Sequence, residues 1–383
     1  MPVAAIESHF ESLTDPRVKE STYPLINIVT MALCAVVCGA DDFVAIARWA
    51  NTKIDWLSKF LDMSAGVPSH DRFNAIFRQL KPDEFERCLL SWVTDLHEVS
   101  DGQIIAIDGK TLRRSYDKAS SKSAIHMVSA WATDNHISLG QVTTNAETPN
   151  EKASNEITAI PKLLEIIEIS GALVTIDAMG CQTAIAEKIV DLGGDYCLAA
   201  KENQPTTYQE IADHFSKRVA ANFINEDGSK ADVRRTFTDE KGHGRVEHRA
   251  YYICRVPETM TTASRWKGLL AIGMSINITE RDGEEQHSVR YYILSKFLSA
   301  KKFAEAVRGH WGIENSLHWQ LDVTFGEDQS RVRKGYADQN QSLLRRTALS
   351  LLKNETTAKV GVKNKRLTAG WDDDYLTKVV FGA

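Results

Sequence analysis

The sequence predicts an α/β fold: a core built on a mixed sheet, preceded by an all-helical N-terminal region and interrupted by a β-rich insertion. Three observations carry this. Residues 1 to about 98 keep a helical apolar period. From residue 103, runs rich in β-branched and aromatic residues alternate with helical segments in the order β-β-β-α-β-α-β. Between residues 205 and 298 strands dominate, and the helical period resumes at Ala300.

In the front region Pro24 precedes a helix over Leu25 to Cys38, and Asp41 opens an amphipathic second helix. Trp56, Leu57, Phe60 and Leu61 carry the period into a third. In GVPSHDRFNAIFRQL, Gly66 and Pro68 punctuate, Ser69 is placed to cap, and Phe73, Ile76, Phe77 and Leu80 form one apolar face. A helix, a glycine-containing turn and a capped helix presenting Arg72, Asn74, Arg78 and Gln79 fit a helix-turn-helix; an ordinary helical bundle fits the same pattern. The core opens with QIIAID, AIHMVSAWAT and ISLGQVTT, the last two joined by the turn signal Asp134-Asn135-His136. A helix from Ile157 to Ile169, the strand ALVTID, a helix from Thr183 to Val190 stopped by Gly193-Gly194, and the strand DYCLAAK follow. An antiparallel start joined to parallel crossovers requires a mixed sheet with helices on its faces. A helix around Tyr208 to Val219 then leads to the strands VRRTFTDE, RVEHRAYYICRV, LLAIGMSINITE and SVRYYILS. The expected domains are residues 1–98, 99–204, 205–298 and 299–383. The last closes the core and ends in a basic helical tail, with 11 Lys and Arg against 5 Asp and Glu from Arg331 onward.

Composition bounds the function. A chain of 383 residues with 43% apolar content supports two or three folded units. The net charge of -5 gives no global basic footprint, so any nucleic-acid surface has to be local. Six cysteines in apolar contexts, none in a C-x-x-C pair, read as reduced buried thiols of a cytoplasmic protein. The most apolar stretch, Ile26 to Ala40, contains Asn27 and Thr30 and stops at Asp41-Asp42. It falls short of the roughly 20 apolar residues that span a bilayer, so no membrane partner is expected. Its position, with acidic residues before it, does not suit a secretory signal.

The chemistry starts from VTIDAMGCQ and IIAIDGK, two apolar strands that each end in an acid, Asp177 and Asp108. Ligands collect beyond the carboxyl ends of strands in α/β sheets. Two carboxylates meeting there need a shared proton or cation, and a hard divalent ion such as Mg²⁺ or Mn²⁺ suits oxygen ligands. In KFAEAVRGHWGIENSLHWQLDVTF a helical seam runs through Phe303, Val307, Trp311, Glu314, Leu317 or His318, and Leu321. Glu314 on that seam should face the core, where an acid needs a partner or a metal, which makes it the third candidate ligand. His310, Glu314 and His318 also recur at i, i+4, i+8, a spacing that suits zinc but leaves Asp108 and Asp177 unexplained. Two strand acids and a late helical glutamate suit two-metal phosphoryl transfer. Basic residues lie beside them: Lys110, Arg113 and Arg114 after Asp108, Lys201 and Gln204 after the last core strand, and Lys241, His243, Arg245 and Arg249 in the insertion. These are candidate phosphate contacts, with Trp311 and Trp319 as candidate stacking platforms.

These residues resemble a known family. TDPRVKESTYPL, LCAVVCGADDF, GVPSHDRF, AIDGKTLRRSYD, AIHMVSAW, SNEITAIPKLL, TIDAMGCQ, GGDYCLAAKENQ, GHGRVEHR, VRYYILS and HWGIENSLHWQLDVTFGED, in that order, are similar to the H-repeat-associated proteins, which are bacterial insertion-sequence transposases of the DDE class. The resemblance covers nearly the whole chain. It implies a ribonuclease H-like core, a catalytic and metal-binding triad on Asp108, Asp177 and Glu314, and two Mg²⁺ ions replaceable by Mn²⁺. It also implies double-stranded DNA at terminal inverted repeats and target DNA as substrates, with a homodimer in the DNA complex. Related transposases carry a Tyr and an Arg before the glutamate and a Lys after it; Val307, His310 and Leu321 stand there in this chain. Arg308, His310 and His318 are then the substitutes for phosphate contact. The expected activity is hydrolysis at element ends followed by strand transfer. The alternatives are a catalytically inactive relic that only binds end DNA, and a structure-specific nuclease of the same fold.

Overall fold

A computed structural model describes residues 3–18, 22–96, 102–112, 125–144, 155–224, 229, 232–242, 244–281 and 283–382. Six helices come first: α1 (Val3–Phe10), α2 (Leu25–Val37), α3 (Phe43–Thr52), α4 (Ile54–Leu57), α5 (His70–Phe77) and α6 (Pro82–Leu96). The core follows as β1 (Ile104–Leu112), β2 (Ile125–Ala132), β3 (Ile137–Thr143), α7 (Glu156–Ile166), β4 (Leu173–Ile176), α8 (Thr183–Asp191), β5 (Asp195–Ala200) and α9 (Pro205–Ala220). The insertion supplies β6 (Val233–Gly242), β7 (Arg245–Arg255), β8 (Ala271–Arg281) and β9 (Glu284–Leu294). The chain closes with α10 (Ala300–Ile313), a π-helical turn (Glu314–His318), α11 (Trp319–Val323), α12 (Ala337–Asn354), α13 (Val362–Trp371) and α14 (Asp373–Phe381). The β-β-β-α-β-α-β order expected of a ribonuclease H-like core is therefore present. Among the described residues no helix is long and apolar enough to cross a membrane.

The chain divides into two compact units that interleave in sequence. One comprises residues 1–100, 110–147 and 314–383, and the other residues 101–109 and 148–313. In the second unit the strand order is β1-β4-β5-β9-β8-β7-β6. β1, β4 and β5 are parallel, and β5 meets β9 antiparallel, with Cys197 opposite Leu294. The insertion strands β6 to β9 thus extend the core sheet. α10 packs on this sheet through Phe303, which lies edge-on to Tyr251 and Tyr292 at ring distances of 6.2 and 5.4 Å. Gly273 on β8 makes room for that ring: a Cβ there would lie 2.4 Å from its Cζ.

In the first unit α12 is buried on nearly every side although its sequence is polar. Buried polar groups need partners. Asn340 donates to the carbonyls of Phe77 and Leu80 at 2.8 and 2.9 Å, and Gln341 to that of Asp41 at 2.7 Å. Arg345, Arg346, Lys365 and Arg366 are all buried, so a large part of the tail's basic surplus lies inside the unit. Two local expectations need correction. Asp42, not Asp41, caps α3, accepting from the Ala45 amide at 2.8 Å. The third front helix stops at Leu57, because the amides of Lys59 and Phe60 bond three residues back. Its apolar residues predicted burial correctly, since Trp56, Leu57 and Leu61 are buried. Ser69 caps α5 as expected, accepting from Arg72 N at 3.3 Å.

Candidate active site

β1 and β4 run parallel in register, Ile104 with Leu173 through Ile107 with Ile176. All eight of these residues are buried. The next residue on each strand is the acid, Asp108 and Asp177, both half-buried. Asp177 lies just past the end of β4, but Asp108 lies midway along β1, which continues to Leu112, so that strand does not end in its acid as expected; the two acids follow the last register pair of neighbouring strands, whose spacing is about 4.8 Å. Asp177 is oriented by its own loop: Oδ1 accepts from the amides of Met179 at 3.0 Å and Gly180 at 3.3 Å. Among the described residues no hydrogen bond to Oδ2 is made. Gly180 is required by close approach, because a Cβ there would lie 2.3 Å from Ile176 Cγ2. The loop after β5 pins this one, with Asn203 donating to the Ala178 carbonyl at 2.6 Å and Gln204 to that of Cys181 at 3.0 Å. A buried strand ends in an acid here because the chain leaves the sheet at that point and its turn amides hold one carboxylate oxygen.

Asp177 lines a cleft of about 60 Å³ together with Thr175, Lys201, Arg290, His310 and Trp311. The Arg290 guanidinium lies over the Trp311 ring, 4.0 Å from its centroid. Neither Arg290 nor Lys201 makes an ion pair or hydrogen bond among the described residues, which leaves two unneutralised cations beside an acid. His310 Nδ1 is 3.4 Å from Thr175 Oγ1. Burial pushes the His310 pKa down to about 4, against the opposing pull of Asp177. It is a neutral hydrogen-bonding group at pH 7, not a cation. Arg290 is absent from the sequence-based candidates. Its signal was a lone charge in the apolar run VRYYILS, and only the pairing of β5 with β9 brings that strand to the cleft.

The remaining candidates divide. Lys110 is not available to a phosphate: it is 8% exposed and donates to Asp322 Oδ1 at 2.6 Å and Glu327 Oε2 at 2.8 Å. Gln204 is committed to the Cys181 carbonyl. Arg245 pairs with Glu247 at 3.2 Å, and Arg308 and Arg249 both pair with Glu240, so those charges are largely neutralised. Burial pushes His318 down to about 3, so it too is neutral. Trp311 is 38% exposed and Trp319 52%. Arg113, Arg114 and His243 lie outside the described residues.

Glu314 begins the π-helical turn in the first unit and is exposed, contrary to the core-facing seam. The buried residues of this stretch are Ile313, Leu317 and Leu321. The wider turn rotates the residues around it out of the 3.6-residue register on which the seam was drawn. Among the described residues no group of three or more His, Cys, Asp or Glu side chains is placed to hold a metal ion. Asp108 and Asp177 carry oxygen donors of the kind a hard cation takes.

Residues 99–351 match the model of the transposase DDE domain, and residues 7–93 match that of the region associated with it. YncI from Escherichia coli O157:H7, provisionally named a transposase, is 41% identical over 94% of this chain and 89% of its own length. YhhI from Escherichia coli K12, provisionally named an H repeat-associated transposase, is 38% identical over 94% of this chain and 93% of its own. The piggyBac transposase synaptic complex with hairpin DNA is a remote structural likeness, with a TM-score of 0.43 at 10% identity over 99% of this chain and 80% of that one. With its DDE domain spanning residues 99–351 and its associated region before it, the chain belongs to the DDE transposase family.

Proposed function

We propose that this transposase carries out metal-dependent phosphodiester hydrolysis at the ends of an insertion sequence and joins the freed 3′-hydroxyl to target DNA. The observation that carries the reading is the pair Asp108 and Asp177, each the residue after the last register pair, Ile107 with Ile176, of two buried parallel strands. Asp108, Asp177 and Glu314 would hold two Mg²⁺ ions, with Mn²⁺ able to replace them. Bound there, such ions activate the attacking oxygen and stabilise the leaving one in an in-line displacement. The chain's own groups do the rest. The amides of Met179 and Gly180 fix the direction of the Asp177 carboxylate. Arg290 and Lys201 contact phosphates flanking the scissile bond, and Trp311 offers its exposed face to an unpaired base. Exposure of Glu314 supports a ligand that joins the set with substrate, since its carboxylate has not been sealed into a core.

The test is incubation of the full chain with end DNA, a target plasmid and Mg²⁺. Cleaved ends and joined products are expected. Asp108→Asn, Asp177→Asn and Glu314→Gln each abolish both while end binding persists. Normal cutting by all three variants would refute the site. Nicking without joining would indicate a nuclease of the same fold. Binding without cutting in Mg²⁺ or Mn²⁺ would indicate an inactive relic.

A further inference from the structure

β6 is the last strand in the sheet order, so among the described residues one of its edges has no strand partner. An edge of this length is a template for pairing with another chain unless something blunts it. Its sequence, Val233-Arg234-Arg235-Thr236-Phe237-Thr238-Asp239-Glu240-Lys241-Gly242, has two arginines in the first half and both of its acids in the second, followed there by Lys241. Phe237 at the middle is 58% exposed. Such a strand is complementary to itself in reverse.

We propose that β6 pairs antiparallel with β6 of a second copy of this chain, about a two-fold axis at Phe237. In that register Arg235 faces the partner's Asp239 and Thr236 faces the partner's Thr238, each twice over; Arg234 and Glu240 also come opposite but are already committed, Arg234 to the Leu298 carbonyl at 2.8 Å and Glu240 to Arg249 and Arg308. Phe237 meets the partner's Phe237. A two-fold axis perpendicular to a continuous sheet pairs only residues of the same parity, so the neighbouring registers differ by two residues. Centring on Thr238 sets Arg235 against the partner's Lys241, and centring on Thr236 loses the pairing of Arg235 with Asp239. Charge therefore selects one register. The exposed face reinforces it: Phe237 lies edge-on to Tyr252 at 6.1 Å, and Tyr252 stacks on Phe223 at 5.1 Å, an aromatic cluster that the partner's ring would extend. Asp239 Oδ1 already accepts from His248 at 2.6 Å, which leaves Oδ2 for Arg235. The proposal uses none of the residues assigned to catalysis, so it fails or stands separately from the proposed function.

The experiment is site-directed cross-linking in the full chain. Copies paired about Phe237 place the two Cα atoms about 4.5–5.5 Å apart, within disulfide reach. Phe237→Cys is expected to form a covalent dimer on oxidation with diamide. Lys241→Cys is not, because its two copies lie about 27 Å apart along the strands. The native thiols give a low background, since five are buried and Cys38 is partly so. Arg235→Asp added to Phe237→Cys should slow cross-linking about tenfold, since two attractive pairs become repulsive. Adding Asp239→Arg should restore it. Circular dichroism confirms that each variant is folded, and sedimentation of the unmodified protein with and without end DNA provides a measurement free of substitutions. A folded Phe237→Cys that does not cross-link, equal cross-linking at position 241, no recovery in the charge-swapped variant, or a protein monomeric throughout overturns the proposal.

Discussion

Replacing Lys110 with Met should destabilise the first unit by about 3–5 kcal/mol, the usual cost of stranding a buried partner charge. Glu327 is 3% exposed, and its carboxylate is held by Lys110 at 2.8 Å and by Ser342 at 2.8 Å. Burial alone would raise its pKa. Lys110, Arg346 and Arg345 outweigh burial and hold it at about 2, against an ordinary 4.5. That difference corresponds to about 3 kcal/mol favouring the folded state at neutral pH, an order-of-magnitude figure. Because the folded value lies below the unfolded one, this stability is present above pH 4.5 and is lost as pH falls toward 2. Asp322 shares the same ammonium at 2.6 Å, yet its pKa is raised, by burial first. The ammonium's benefit goes mainly to Glu327, the more deeply buried acid. The assay is urea unfolding followed by tryptophan fluorescence at pH 7 and pH 3. The deficit of Lys110→Met should shrink by about 2 kcal/mol at the lower pH, where the unfolded Glu327 is already protonated. The double variant Lys110→Met/Glu327→Gln should lose less than the two single losses added. A deficit below about 1 kcal/mol at pH 7, or one unchanged by pH, would refute the reasoning.

Further outcomes are expected elsewhere. Gly180→Ala forces a Cβ against Ile176 Cγ2 and should cost about 1–3 kcal/mol together with loss of cleavage; unchanged melting and turnover would refute the close-approach argument. Arg290→Ala should weaken end-DNA binding across all sequences and lower the slope of log affinity against log salt by about 1, measured by fluorescence anisotropy; an unchanged slope would remove Arg290 from the phosphate contacts. Burial raises all six thiols, with Cys38, Cys181 and Cys254 pushed up to about 12. The native protein should therefore resist iodoacetamide at pH 8, while the urea-unfolded chain takes up six equivalents by mass spectrometry.

Asp108 and Asp177 were legible because strand periodicity is local. Four buried residues followed by an acid, twice, need no knowledge of the rest of the chain, and parallel pairing does the alignment. The environment of Glu314 was misread, because a seam drawn at 3.6 residues per turn cannot anticipate a π-helical turn. Lys110 looked like a phosphate contact from its place after Asp108. Its partner Glu327 stands 217 residues away, and nothing local announces an ion pair across that separation.

The sequence by itself determined the class of fold, the order of elements, the buried thiols and the two strand acids, all consequences of short-range patterning and side-chain chemistry. Only the tertiary structure decided which cations remain unneutralised. Arg308 and Lys110 are held by acids far away in the chain, while Arg290 and Lys201 are left beside Asp177. Charge availability depends on which distant acid lies within about 4 Å, and that is fixed by sheet pairing and helix packing rather than by neighbours in the chain.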